Sequence, residues 1–156
     1  MVEESKFNSY IARVRKTVNG AKEIIIKDSE REALLIPNPR VPRLYGLPKI
    51  HKEIRPVIST IASPTYRLAG YLKDWFKPTT LFSPQRSVVS SSDLVNRLQK
   101  ERITAHSRLV SFDVTGPFPN VPLQPTKEYS EQLLRDVNVN KDVIKDFMDL
   151  LEVCLQ

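Results

Sequence analysis

Apolar residues recur at helical spacing at both ends of this chain. Near the N-terminus, residues 4 to 18 place them on one helical face, at Phe7, Ile11, Val14 and Val18. The following Asn19-Gly20 favours an end to that helix. Two more helices are predicted over Thr126–Val137 and Lys141–Leu155, the second with one apolar side: Val143, Ile144, Phe147, Leu150, Leu151 and Cys154.

Between these ends the apolar runs are shorter and are interrupted by proline. Ala21–Lys27 contains three consecutive isoleucines, and its period fits either a short strand or part of a helix. Ser29 and Glu32 have the spacing of a capping box, which predicts a short helix through Leu35. Three prolines in Pro37–Pro42 cannot continue that helix, so we expect a linker there.

The central part alternates strand and helix signals. Arg43–Lys52 and Arg55–Ile61 predict two strands joined by a tight turn at Glu53-Ile54. Ser63 and Pro64 have the residue types of a helix start, and Lys77-Pro78 those of its end.

A loop over Thr79–Ser92 and a short helix over Ser91–Lys100 are expected next. Arg108–Val114 then predicts a strand that ends at Asp113. The expected fold class is α+β, with a small antiparallel sheet and several helices.

Charge is unevenly distributed along the chain. From Arg40 to Lys100 there are 11 Lys and Arg against three acids, whereas from Asp113 onward there are four against eight. A basic block of this density fits a phosphate-binding surface, although a solvated face has the same composition about as often. The single cysteine excludes a disulfide framework and a cysteine metal site, and no apolar run approaches the length that spans a bilayer.

Three stretches of this chain resemble the reverse transcriptase domain of Penelope-like retroelements. They are RLYGLPKIHKEIRPVIST (43–60), SPTYRLAGYLKDWF (63–76) and SFDVTGPFPNVP (111–122), in the order of the family's blocks. The resemblance covers about Pro42 to Pro122 and continues more loosely to Gln156. It implies fingers with an incomplete palm, divided as an N-terminal helical region (1–36), a basic fingers-like region (37–107) and a partial palm (108–156).

The resemblance implies a role for particular residues. Asp113 matches the family's first catalytic aspartate, a ligand of both Mg²⁺ ions, with the backbone carbonyl of Val114 as a further ligand. Phe118 matches the aromatic that excludes a 2′-hydroxyl, and Arg55 the arginine that faces the incoming triphosphate. Taken alone, Asp113 fits a turn former and Phe118 a core aromatic.

Further side chains of the basic block are candidates for the same ligands. Lys49 and Lys52 are expected to contact the nucleotide phosphates or the template backbone. Tyr45 and Pro48 are expected to fix the strand and its turn. Arg43 and His51 fit either further phosphate contacts or, more often for such residues, solvated surface groups.

The chain departs from the family's FDVxSLFTNVP pattern. Gly116, Pro117 and Pro119 replace serine, leucine and threonine, and the two prolines fix φ on either side of Phe118. The family's second catalytic element contains two adjacent aspartates, and no Asp-Asp pair occurs among these 156 residues. The sequence is therefore expected to be a fragment that is inactive alone.

Three interpretations remain open on sequence grounds. The first is a fragment of a retrotransposon RNA-directed DNA polymerase that acts on RNA template, DNA primer and dNTP, completed by the missing C-terminal half of the polymerase. The second is a non-catalytic nucleic-acid-binding module, and the third is a decayed element without selected function. The expected location is intracellular, and nuclear for a eukaryotic retroelement.

Overall fold

The computed structural model of the chain describes residues 4–50, 52–84, 87–102, 104–108, 110–114 and 120–155. For Lys49, Lys52 and Glu53 it describes the backbone only. The described residues form six helices and one two-stranded antiparallel sheet, so the predicted α+β class is confirmed. The elements are α1 (Glu4–Gly20), α2 (Asp28–Leu34), β1 (Arg43–Lys49), β2 (Lys52–Ser59), α3 (Tyr66–Thr80), α4 (Ser91–Leu98), α5 (Leu123–Asp136) and α6 (Lys141–Cys154).

The chain forms two compact units. The first comprises Met1–Leu81 together with Leu123–Gln156, and the second comprises Phe82–Pro122. In the second unit, α4 begins after a Ser90 cap whose side chain accepts a hydrogen bond from the Asp93 N–H, but no residue of α4 is buried. The division into polymerase subdomains stays a prediction. Within the described residues, no helix is both long and apolar enough to cross a bilayer.

The core of the first unit lies where α1, α3 and α6 meet. Phe147 of α6 is 3% exposed and stacks on Trp75 and Phe76 of α3, with ring centroids 5.3 and 5.2 Å away. Val14 and Val18 of α1 are buried in the same cluster. The predicted apolar sides of the first and last helices are thus confirmed, because burial of such faces is what fixes amphipathic helices in a small domain.

The isoleucine run after α1 is neither strand nor helix. Residues 21–27 form turns in which Ile25 and Ile26 are buried and Ile24 is exposed. The Arg31 side chain stabilises this segment, because its guanidinium donates hydrogen bonds to the carbonyl of Val18 in the last turn of α1 and to the carbonyl of Ala21 just after the helix. Those carbonyls have no partner inside α1, so the guanidinium satisfies groups that a helix end leaves free.

Two predicted helix starts are wrong. Helix α2 begins at Asp28, one residue before Ser29, and its N-cap Lys27 makes no side-chain hydrogen bond, so the predicted capping box is not formed. Helix α3 begins at Tyr66 rather than after a Ser63 cap, and its N-cap Thr65 also makes no side-chain capping bond.

The predicted end of α3 at Pro78 is also wrong. The helix continues through Pro78 to Thr80, and its C-cap Leu81 has a positive φ of 50°. Proline removes one backbone donor from the last turn. The Thr79 and Thr80 hydroxyls donate to the carbonyls of Trp75 and Phe76 at 2.6 and 2.9 Å, which supplies hydrogen bonds to this turn.

Candidate nucleic-acid interface

The β1–β2 hairpin holds most of the residues that the sequence nominated for phosphate binding. Its register pairs Arg43 with Ser59, Tyr45 with Val57 and Leu47 with Arg55. The chain reverses between Lys49 and Lys52, whose backbones are paired, so the turn predicted at Glu53-Ile54 is wrong. A shift in register between Leu47 and Lys49 accommodates the reversal.

The two faces of this hairpin differ in chemistry. Paired residues of an antiparallel sheet share a face, and faces alternate along each strand. The register therefore defines a basic face with the residues Arg43, Tyr45, Leu47, Arg55, Val57 and Ser59. It defines an apolar face with the residues Leu44, Gly46, Ile54, Pro56 and Ile58.

The apolar face depends on the glycine at its centre. A Cβ atom at Gly46 would lie 2.3 Å from Cγ2 of Ile54, so Ile54 occupies the space that a side chain would need. The three large side chains of this face are largely exposed: Leu44 at 72%, Ile54 at 70% and Ile58 at 65%. The charged side chains of Arg43 and Arg55 lie on the opposite face of the hairpin.

The basic face combines cations with an aromatic ring. Arg43 and Arg55 are exposed, and Tyr45, between them on the same face, is 48% exposed. A guanidinium can bind two phosphate oxygens at once, and an exposed aromatic ring can stack on a base. This arrangement fits a nucleic-acid strand better than it fits an apolar ligand.

Lys49 and Lys52 are adjacent at the closed end of the same hairpin, where their backbones pair. Their position is consistent with the phosphate contacts expected of them, and their side chains lie outside the description. Sequence reasoning named Arg43 as an alternative phosphate contact and assigned Tyr45 a structural role. The predicted turn was at the wrong residues, and only the observed register places Arg43, Tyr45 and Arg55 on one face.

Asp113 and Val114 belong to the second unit, whereas Arg55 belongs to the first. The strand predicted over Arg108–Val114 is wrong for the described residues, since 108 and 110–114 have no regular secondary structure. Asp113 is exposed, and its neighbours Phe112 and Val114 are 94% and 68% exposed. Phe118 lies outside the described residues.

The surroundings of Asp113 do not suffice for the two magnesium ions of a polymerase. Two-metal sites hold their ions about 3.5–4 Å apart through several carboxylates. Among the described residues, no group of three or more His, Cys, Asp or Glu side chains is close enough to hold a metal ion. One carboxylate with one carbonyl is at most part of such a site.

Comparisons of this chain with protein-family models, with curated proteins and with solved structures found no match.

Proposed function

We propose that this chain is the fingers and the first palm element of a retroelement RNA-directed DNA polymerase. The observation that supports this most is the position of Arg55. It belongs to the RPVIS block that resembles the family's triphosphate-facing element, and it lies exposed on one hairpin face beside Tyr45 and Arg43. The partners on this proposal are primed RNA template and dNTP.

The basic face supplies binding and orientation. Arg55 grips phosphate oxygens, since a planar guanidinium offers parallel N–H donors. Tyr45 stacks on a base, which fixes the strand without regard to sequence. Lys49 and Lys52, at the hairpin's closed end, add charge that releases counterions from the nucleic acid.

The metal part of the site is incomplete on this proposal. Magnesium supplies charge neutralisation at the transferred phosphoryl group in such polymerases. Asp113 and the Val114 carbonyl are the ligands this chain offers, and further carboxylates come from outside these residues. Phe118 is proposed to contact the sugar of the nucleotide.

A non-catalytic nucleic-acid-binding module is the second candidate. It rests on the basic face alone, where Arg43 and Arg55 are exposed beside the half-exposed ring of Tyr45. It shares the basic face with the first candidate and differs in having no need for Asp113.

Replacing Arg55 with alanine is expected to weaken binding of primed RNA by about tenfold to a hundredfold. The change removes a charge-assisted contact worth about 1.5–3 kcal/mol, and it should lower the slope of log affinity against log salt by about one. Arg55→Lys keeps the charge but loses the bidentate geometry, so an intermediate affinity is expected. Fluorescence anisotropy with labelled primed RNA measures all three proteins over a salt series.

The matched control is Arg15→Ala, which removes an equal charge from an exposed position of α1. It should change affinity by less than about twofold at moderate salt, because Arg15 lies outside the hairpin on α1 and salt screens isolated exposed charges. Equal losses in the Arg55 and Arg15 variants would contradict a specific role for the hairpin. Undetectable binding at low salt would contradict both candidate functions.

A further inference from the structure

Three side chains of the basic face are accessible to a ligand. Arg43, Tyr45 and Arg55 are exposed, and among the described elements the two strands of the hairpin pack mainly on each other. Within the described part of the chain, neither arginine forms an ion pair. The N–H donors of both guanidinium groups are therefore available to a ligand.

These three positions alternate as cation, ring and cation along the hairpin. Arg43 and Tyr45 are two residues apart on β1, which places them about 7 Å apart along the strand. Arg55 pairs with Leu47, two residues beyond Tyr45, so it lies about another 7 Å along the same direction on the neighbouring strand. The aromatic position thus lies between two cationic positions on one face.

The charge of the hairpin is complementary to a polyanion. Together β1 and β2 contain four cationic residues against one acid, Glu53. Charge alone does not distinguish a single strand from a duplex, and the higher charge density of a duplex would favour the duplex.

The ring of Tyr45 does make this distinction. In a duplex the bases are paired and stacked on one another, and the major groove of A-form RNA is too narrow for side chains to enter. An unpaired base offers its π-face to an aromatic side chain, and this holds for every base. A ring between two cations is therefore suited to a strand whose bases are free.

We infer that the basic face selects single-stranded nucleic acid over duplex. The guanidinium groups of Arg43 and Arg55 bind phosphates of the strand, and an unpaired base stacks on Tyr45. This inference rests on the proposed function, because it concerns the same face, and it adds which form of nucleic acid that face binds. On a primed template, the hairpin binds the unpaired part of the template and not the primer–template duplex.

Fluorescence anisotropy on the full chain tests this selectivity with two labelled probes. One is a single-stranded RNA of about 12 nucleotides without self-complementarity, and the other is the blunt duplex that it forms with its complement. At the same salt concentration, the single strand is expected to bind at least about fivefold more tightly. Equal affinities, or tighter binding of the duplex, would overturn the inference.

Variants of Tyr45 separate stacking from a structural role. Tyr45→Ala is expected to weaken single-strand binding by about fivefold to a hundredfold and duplex binding by less than about twofold. Tyr45→Phe keeps the ring, so the selectivity for the single strand should be retained. If Tyr45 only supported the hairpin, Tyr45→Ala would displace the arginines and weaken both probes equally, and that result would overturn the inference.

Leu44→Ala is the matched control on the opposite face. Leu44 is adjacent to Tyr45 on β1, and its side chain is 72% exposed on the apolar face. Both affinities should stay within about twofold of those of the unchanged chain. A loss of selectivity as large as that of Tyr45→Ala would contradict the assignment to the basic face.

Arg55→Ala distinguishes failure of this inference from failure of the proposed function. Both probes contain phosphates, so this variant is expected to weaken binding of both. If neither probe binds, or if Arg55→Ala weakens neither, the hairpin is not a nucleic-acid site and the proposed function fails with the inference. If both probes bind through Arg55 but Tyr45→Ala leaves their affinity ratio unchanged, only the inference fails.

Discussion

Replacing Phe147 with alanine is expected to lower the free energy of unfolding of the first unit by about 3–5 kcal/mol. Phe147 of α6 is 3% exposed, and its ring stacks on the rings of Trp75 and Phe76 of α3. Truncation removes buried area and leaves a cavity where two helices meet. Since small domains are stable by about 5–15 kcal/mol, the variant is expected to be partly unfolded at 37 °C.

Urea unfolding followed by far-UV circular dichroism measures this loss. Phe147→Leu fills most of the space and should cost about 1–2 kcal/mol. Ile24→Ala, where the side chain is 69% exposed, should change stability by less than about 0.5 kcal/mol. A loss below about 1 kcal/mol in Phe147→Ala would contradict a core built on the α3–α6 contact.

The purified chain alone is expected to incorporate no nucleotide on a primed RNA template with Mg²⁺ and dNTPs. Two-metal phosphoryl transfer needs several carboxylates around the ions. The 156 residues contain no adjacent aspartate pair, and Asp113 has no carboxylate cluster among the described residues. Labelled-dNTP incorporation resolved on a denaturing gel measures the activity.

The comparison is a chain extended through an adjacent aspartate pair. If the present chain is a polymerase fragment, the longer chain is expected to extend the primer, and its Asp113→Ala variant is expected to lose this activity. Inactivity of both forms, with RNA binding retained, favours the non-catalytic binding module. Activity of the present chain alone that disappears in Asp113→Ala would contradict the argument from missing carboxylates.

The helices at the ends of the chain were predictable because one physical signal dominates them. Val14, Val18, Phe147 and Leu150 recur at helical spacing, and all four are buried. A helix that buries one face needs apolar residues at helical spacing, and this spacing is visible in the local sequence. Exact helix ends were less predictable, since Ser29 and Ser63 have capping residue types but the helices begin elsewhere.

The strands were harder to predict for a physical reason. A strand forms only beside a partner, so β propensity is not enough for the described residues of this stretch, 108 and 110–114, which pair with no other strand. In the hairpin the partner exists, and a side chain at Gly46 would collide with Ile54 of the paired strand. No turn residue marks that contact in the sequence, which is why the reversal was placed a few residues too late.

The candidate interface was predictable in part. Arg55 was nominated through the family resemblance and lies exposed on β2, and its role in phosphate binding stays a prediction. Tyr45 was assigned a structural role, because the face on which a strand residue lies follows from the register alone.

Photo-cross-linking of primed RNA to the chain, followed by mass spectrometry, tests the central claim most directly. RNA containing 4-thiouridine is irradiated with the protein at low salt, and the modified peptides are mapped. Cross-links are expected within residues 43–59, foremost at Tyr45, with a reduced yield in Arg55→Ala. Cross-links confined to α5 and α6, with the hairpin unmodified, would contradict the proposal that the basic face of the hairpin binds nucleic acid.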